Sequence, residues 1–180
     1  VYKRSLFKFV DSFMVYDGED GIARLAEAVA SGGSLSDVPG LIYSEKKKIY
    51  ANPPSIRPAL DSMPIPDYSD LPLEKYYSPQ IYLPIGTSRG CYWGKCAFCT
   101  HHRSGAGYRA ASVERVFDEM NILHDKYGCR NFYFTDDAMP PAIALNLSRL
   151  IRDGEKPYRW AAEFRAEKMM DDEYFKTLYE

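Results

Sequence analysis

Apolar and polar positions follow three different rhythms along this chain. In residues 1–51, the run 11–16 reads as a short strand. Ile22, Leu25, Ala26 and Val29 then recur at i, i+3, i+4 and i+7, which predicts a helix after Asp17-Gly18-Glu19-Asp20 that stops at Gly32-Gly33. Leu41-Ile42-Tyr43 and Lys48-Ile49-Tyr50 predict a hairpin around Glu45-Lys46-Lys47, with its lysines in a solvated turn. Residues 52–80 have little periodicity and hold seven of the twelve prolines, so they predict an extended connector that crosses a surface or joins two domains.

From residue 81 onward strands and helices take turns. The strand-like run 81–87 leads directly into a cysteine-rich loop. Ser112 can cap a helix whose apolar face is Val113, Val116, Phe117, Met120 and Leu123, ended by Gly128. A strand over 131–135 follows. Pro140-Pro141 opens a helix with Ile143, Leu147, Leu150 and Ile151 on one side, stopped at Gly154. A third strand is expected over 158–164, and Asp171-Asp172 begins a last helix. Strand, helix, strand, helix, strand, helix with short joints is the pattern of a parallel sheet with crossover helices. Function in such α/β sheets gathers at the carboxyl ends of the strands. The cysteine loop, Asp136-Asp137 and Glu163-Phe164-Arg165 all fall at or near those ends.

Composition narrows the class. The chain has 180 residues, 46% hydrophobic and 27% charged, a globular mixture able to bury a core without disulfides. Its net charge is −2, so no basic excess suggests nucleic acid, and no run of eighteen apolar residues suggests a membrane span. The start is not a secretory signal. Neither end reads as a natural terminus, so the chain is expected to be a piece of something longer.

Three of the four cysteines, Cys91, Cys96 and Cys99, fall within nine residues. A disulfide framework would spread its cysteines to close loops, whereas thiols this close together suit a soft metal centre in a reducing compartment. Gly90 and Gly94 would let the backbone curl around a bulky guest. Two sites are compatible with the spacing: an iron–sulfur cluster with one iron left open, or a closed Cys₃His zinc site completed by His102. His101 and His102 are otherwise partly exposed loop residues. Cys129 reads as a small buried apolar residue.

A strand running into Ser88-Arg89-Gly90-Cys91, followed by a compact cysteine triad with an aromatic residue, Phe98, before the last cysteine, resembles the radical SAM superfamily. The resemblance implies that Cys91, Cys96 and Cys99 hold a [4Fe-4S] cluster. S-adenosylmethionine would chelate its fourth iron and be cleaved to methionine and a 5′-deoxyadenosyl radical, with Phe98 against the adenine region. The usual triad is Cys-x₃-Cys-x₂-Cys; here four residues, Tyr92-Trp93-Gly94-Lys95, separate the first two cysteines. Asp136 and Asp137 match by position and charge the polar groups that receive the S-adenosylmethionine amine, though the usual Gly-Gly-Glu is absent. The alternative is a helix N-cap beside a solvated acid. Glu163 and Arg165 alternate onto one strand face, expected to be the inside of a barrel, as cofactor or substrate contacts or else as a structural ion pair.

The N-terminal segment, with Tyr16-Asp17-Gly18-Glu19-Asp20 and Asp37-Val38-Pro39-Gly40-Leu41-Ile42-Tyr43, resembles the closing part of a cobalamin-binding domain. Met63-Pro64-Ile65-Pro66-Asp67-Tyr68 resembles the connector that joins such a domain to the barrel. The resemblance therefore implies an α/β chain in three parts. Residues 1–51 would be the C-terminal portion of a Rossmann-like cobalamin-binding-type domain, 52–80 a Pro-rich connector, and 81–180 the first half of a partial (β/α)6 TIM-like barrel. The parent is expected to be a cytoplasmic enzyme, with cobalamin-dependent methyl transfer as one form of its chemistry and cobalamin possible in the full-length protein. The piece alone is expected to be inactive, because half a barrel leaves sheet edges unpaired. Expected partners are a small-molecule or peptide substrate and an electron donor such as flavodoxin or ferredoxin, with neither nucleic acid nor membrane. The alternative function is a non-catalytic zinc-binding module.

Overall fold

The computed structural model describes residues 7–54, 57–100 and 107–179, and the chain divides into two compact units at Arg57/Pro58. In the first unit, β1 (Ser12–Met14), β2 (Leu41–Glu45) and β3 (Lys48–Ala51) form a sheet in the order β1-β2-β3, with α1 (Glu19–Ser31) between β1 and β2. Both strand pairs are antiparallel, Phe13 facing Ile42 and Tyr43 facing Tyr50. The predicted hairpin is present. It turns on Lys46 and Lys47, both at positive φ, as a two-residue connection between right-twisting strands requires. Among the described residues this sheet has no parallel pair, so the Rossmann-like character expected of the segment is not carried by these strands.

Helix α1 is where the periodicity placed it, but its buried face is rotated. Gly21 is buried, and Leu25 and Ala28 pack against Val38, Leu41 and Tyr43. Ile22 and Val29 are 60% and 69% exposed. The reason is close approach: a Cβ on Gly21 would lie 2.5 Å from Met14 Sδ, so the helix meets β1 through its glycine and not through its largest side chains.

The second unit contains β4 (Tyr82–Ile85), the short β5 (Ser88–Arg89) and β6 (Arg109–Ala110), α2 (Val113–Tyr127), β7 (Asn131–Phe134), α3 (Pro141–Asp153), β8 (Arg159–Ala161) and α4 (Asp172–Tyr179). β4, β7 and β8 form a parallel sheet in chain order, with α2 and α3 as its crossovers. Helix α2 starts where Ser112 Oγ accepts the Arg115 N–H and ends at Gly128 in the left-handed conformation. The core lies between sheet and helices. Leu83 and Ile85 of β4 and Phe132 and Phe134 of β7 meet Val116, Met120 and Leu123 of α2 and Ala144 and Leu147 of α3. The buried stripe of α3 is centred on Pro141, Ala144, Leu147 and Ser148, while Ile143 and Ile151 only flank it. The intervening strand positions Tyr82, Pro84, Tyr133, Arg159 and Ala161 are exposed on the opposite face.

Residues 58–80 belong with this second unit. Ile65, Tyr68 and Leu73 pack on its core. Arg115 donates to the carbonyls of Asp61 and Met63, and the Tyr68 hydroxyl donates to the Pro84 carbonyl on the free edge of β4. An edge strand is where a proline, with no N–H to give a neighbour, is tolerated.

Asp67 Oδ1 accepts from the Tyr127 hydroxyl at 2.6 Å, Lys126 Nζ at 2.9 Å and the Ser69 N–H at 2.9 Å. These bonds, the tyrosine's foremost, hold its carboxyl well below the usual carboxylate range. A lowered folded-state pKa contributes stability above the unfolded value of about 4, and that contribution is lost as pH falls toward the folded one. The gap between the urea midpoints of wild type and Asp67→Asn should therefore be full at pH 6 and narrow progressively as pH falls below about 4. A gap that stays constant with pH would remove the carboxylate from this role.

Candidate functional site

The site is built at the carboxyl ends of the parallel strands. Asp136, two residues beyond β7, is buried and locks β7 to the end of β4. One oxygen accepts the Thr87 N–H at 3.0 Å. The other accepts the Thr87 hydroxyl at 2.8 Å and the Ser88 hydroxyl. Three of its roughly four acceptor positions are thus occupied. Just beyond, β5 pairs antiparallel with β6, Ser88 facing Ala110 and Arg89 facing Arg109, which pinches together the two ends of the cysteine loop. Gly90 makes this pinch possible. It has φ +80°, and a Cβ there would lie 2.8 Å from the Gly107 carbonyl oxygen. Gly94 also has positive φ, and a Cys99 N–H to Cys96 carbonyl bond of 3.2 Å forms the turn between the last two cysteines.

Cys91, Cys96 and Cys99 are all half-buried and line one cavity of about 550 Å³. Phe98, Asp136, Asp137, Glu163 and Arg165 line the same cavity. The eight residues proposed from the cysteine loop and the strand ends therefore meet at one place. Neither aspartate caps α3, whose N-cap position is Pro140 with no side-chain bond. Cys129 lies elsewhere, 1% exposed, its Sγ donating to the Asn131 carbonyl at 3.0 Å, and burial pushes its thiol up.

The third strand is shorter than expected. β8 ends at Ala161, so Glu163 and Arg165 are carried by the loop that follows it and not by alternation along a strand. Glu163 Oε1 accepts the Tyr133 hydroxyl at 3.3 Å, and its backbone carbonyl accepts the Met139 N–H at 2.9 Å. Arg165 is paired with Glu167, Nη1 to Oε1 at 3.0 Å, and not with Glu163. The same glutamate oxygen accepts the Tyr92 hydroxyl. Burial and this bond push the Tyr92 phenol up to about 12, while the Tyr92 and Arg165 bonds hold Glu167 below its usual value. The Arg165 guanidinium lies 3.5 Å from the centre of the Trp93 ring. Tyr92, Trp93 and Glu167 carried no chemical signal in the sequence; only their aromatic and acidic character could have pointed to them.

The donor set fits an iron–sulfur cluster. Three thiols facing one cavity supply soft ligands, and nearby carboxylates and a guanidinium can receive an amine and a carboxylate. A tetrahedral zinc would hold its thiolates about 3.8 Å apart. Among the described residues no three His, Cys, Asp or Glu side chains close around a single ion. His101 and His102, the latter the fourth ligand of the zinc alternative, lie outside the described residues.

No protein-family model matches the chain. An uncharacterized methyltransferase of Pyrococcus horikoshii is 34% identical over 165 residues, 87% of this chain and 35% of that protein. Among solved structures, the cobalamin-dependent S-adenosylmethionine radical enzyme OxsB aligns with a TM-score of 0.71 at 18% identity, over 99% of this chain and 27% of its own. The radical S-adenosylmethionine methyltransferase TsrM from Kitasatospora setae, solved with cobalamin and a [4Fe-4S] cluster bound, aligns at 0.70 and 20% identity, over 97% and 37%. The chain spans only about a third of the length of these proteins. Its mixed α/β fold is that of part of the cobalamin-dependent radical SAM enzymes, which bears out at the level of the fold the resemblance read from the sequence. No described helix is long and apolar enough to cross a membrane.

Proposed function

We propose that this chain is the cluster-holding segment of a radical SAM enzyme, with Cys91, Cys96 and Cys99 as the three thiolate ligands of a [4Fe-4S] cluster. The observation that carries this reading is the single cavity in which the three thiols meet Phe98, Asp136, Asp137, Glu163 and Arg165. When bound, such a cluster supplies the electron that cleaves the S-adenosylmethionine sulfonium to methionine and a 5′-deoxyadenosyl radical, with methyl transfer through cobalamin as a related outcome. The chain's own residues do the rest: they bind, orient and exclude water. Asp137 and Glu163 carry the charge to receive the methionyl ammonium, and Phe98 offers an apolar face to the adenine. Asp136 contributes mainly by fixing the loop, because most of its acceptor capacity goes to Thr87 and Ser88.

The exposed sheet face through Tyr82, Pro84, Tyr133 and Arg159 supports reading this unit as the opening half of a barrel, since parallel sheets are ordinarily covered on both faces. The relative from Pyrococcus, a methyltransferase, favours methyl transfer over ring formation as the parent's reaction. Anaerobic reconstitution of the complete protein with iron and sulfide tests the reading. A brown protein holding about four irons supports it; a colourless protein taking up stoichiometric zinc overturns it. Asp137→Ala should weaken S-adenosylmethionine binding by about tenfold or more, the value of one charge-assisted bond, while iron content is retained. Unchanged affinity in equilibrium binding would take Asp137 out of the cofactor site.

A further inference from the structure

The four-residue gap between Cys91 and Cys96 has a use that the structure makes visible. Tyr92 and Trp93 reach from the cysteine loop to the loop after β8, and the contacts form a closed circuit. The Tyr92 hydroxyl donates to Glu167 Oε1, Arg165 Nη1 donates to that same oxygen at 3.0 Å, and the Arg165 guanidinium sits 3.5 Å from the Trp93 ring centre. Lys95 Nζ lies 4.9 Å from the same indole. We propose that Tyr92, Trp93, Arg165 and Glu167 form a clasp that fixes the cysteine loop across the mouth of the cavity and holds a guanidinium charge beside the cluster. These are positioning residues: none is a thiolate ligand. The inference rests on the cluster assignment made above and deepens it.

Physical chemistry gives the clasp two separate effects. A guanidinium stacked on indole and bonded to a carboxylate has few ways to move, so it ties one loop to the other with a planar, directional contact that an ammonium cannot reproduce. A fixed cation near an iron–sulfur centre also stabilises its more negative, reduced form, since net charge and hydrogen bonding around the sulfurs set such potentials. Trp93 and Arg165 both line the cavity, so tie and charge act at the same place. In a shorter first gap, fewer residues would have to span the same reach between cysteines.

The test uses the complete, reconstituted protein and reads the cluster itself. Wild type, Trp93→Ala, Arg165→Gln and the double variant are compared for release of iron to a ferrous chelator and for midpoint potential by EPR-monitored titration. Each single variant should release iron about tenfold faster, and the double variant little faster than either, because both remove the same contact. Arg165→Gln should also move the potential to more negative values, whereas Trp93→Phe should restore slow release. Tyr92→Phe, which deletes only the hydroxyl bonded to Glu167, should also release iron faster than wild type, and an unchanged rate would take Tyr92 out of the clasp. Additive release rates, or an unchanged potential in Arg165→Gln, overturn the clasp while the cluster reading stands. A wild type that assembles no cluster overturns both.

Discussion

Cys96→Ala should reduce cluster iron to near background after anaerobic reconstitution of the complete protein, whereas Cys129→Ala should leave it at the wild-type level. The two cysteines differ in surroundings and not in chemistry. Cys96 is half-buried on the wall of the cavity, between Cys91 and Cys99. Removing it leaves two protein thiolates where three are needed to hold a cube with one open iron. Cys129 is packed between sheet and helices with its Sγ bonded to the Asn131 carbonyl, so its loss costs only core packing of about 1 kcal/mol. Iron and sulfide assays on both variants, with far-UV circular dichroism to verify folding, give the comparison. Equal iron in wild type and Cys96→Ala would end the assignment of these thiols.

Much of this arrangement was legible in the sequence because the relevant signals are local. Ser112 and Gly128 bracket α2 as a capping hydroxyl and a left-handed stop should, and neither depends on distant residues. The alternation of strands and helices from residue 81 onward puts the cysteine loop, Asp136-Asp137 and Glu163-Phe164-Arg165 at one end of a parallel sheet, and there the eight candidate residues line one cavity. What periodicity could not supply was contact across elements. Ile22 and Val29 have the larger apolar surfaces on α1, yet the helix turns Gly21 to Met14, because close approach selects the smallest side chain. Glu163 and Arg165 were assigned to one face of a strand, but β8 ends at Ala161, and the partner of Arg165 is Glu167, two residues on. The proline-rich stretch reads as a connector that crosses a surface or joins two domains, but the bonds by which Asp61, Met63, Asp67 and Tyr68 hold it to α2 and β4, most of them spanning more than fifty residues, are not legible in it. Nothing in a run of prolines indicates which distant arginine or tyrosine will hold it.

Asp136→Ala should destabilise the second unit by about 3 kcal/mol and loosen the cysteine loop as well. The magnitude follows from what the carboxylate leaves behind. Thr87 is completely buried, and both its N–H and its hydroxyl are committed to Asp136, as is the hydroxyl of Ser88. Bonds to a charged acceptor are each worth about 1.5–3 kcal/mol, and a buried donor left without a partner costs a comparable amount. The three contributions do not add in full, because hydroxyls can rotate toward other acceptors. Asp136→Asn keeps the shape and one carbonyl but turns an NH₂ toward donors, so it should fall between wild type and alanine. Urea denaturation of the three proteins measures the order. The same substitution frees Ser88 from β7, and with it the strand β5 from which Cys91 extends, so reconstituted cluster should be lost faster in proportion to the stability change. A residue whose only duty was to touch a bound cofactor would leave the denaturation midpoint of the empty protein where it was, and that result would return Asp136 to the cofactor and detach it from the fold.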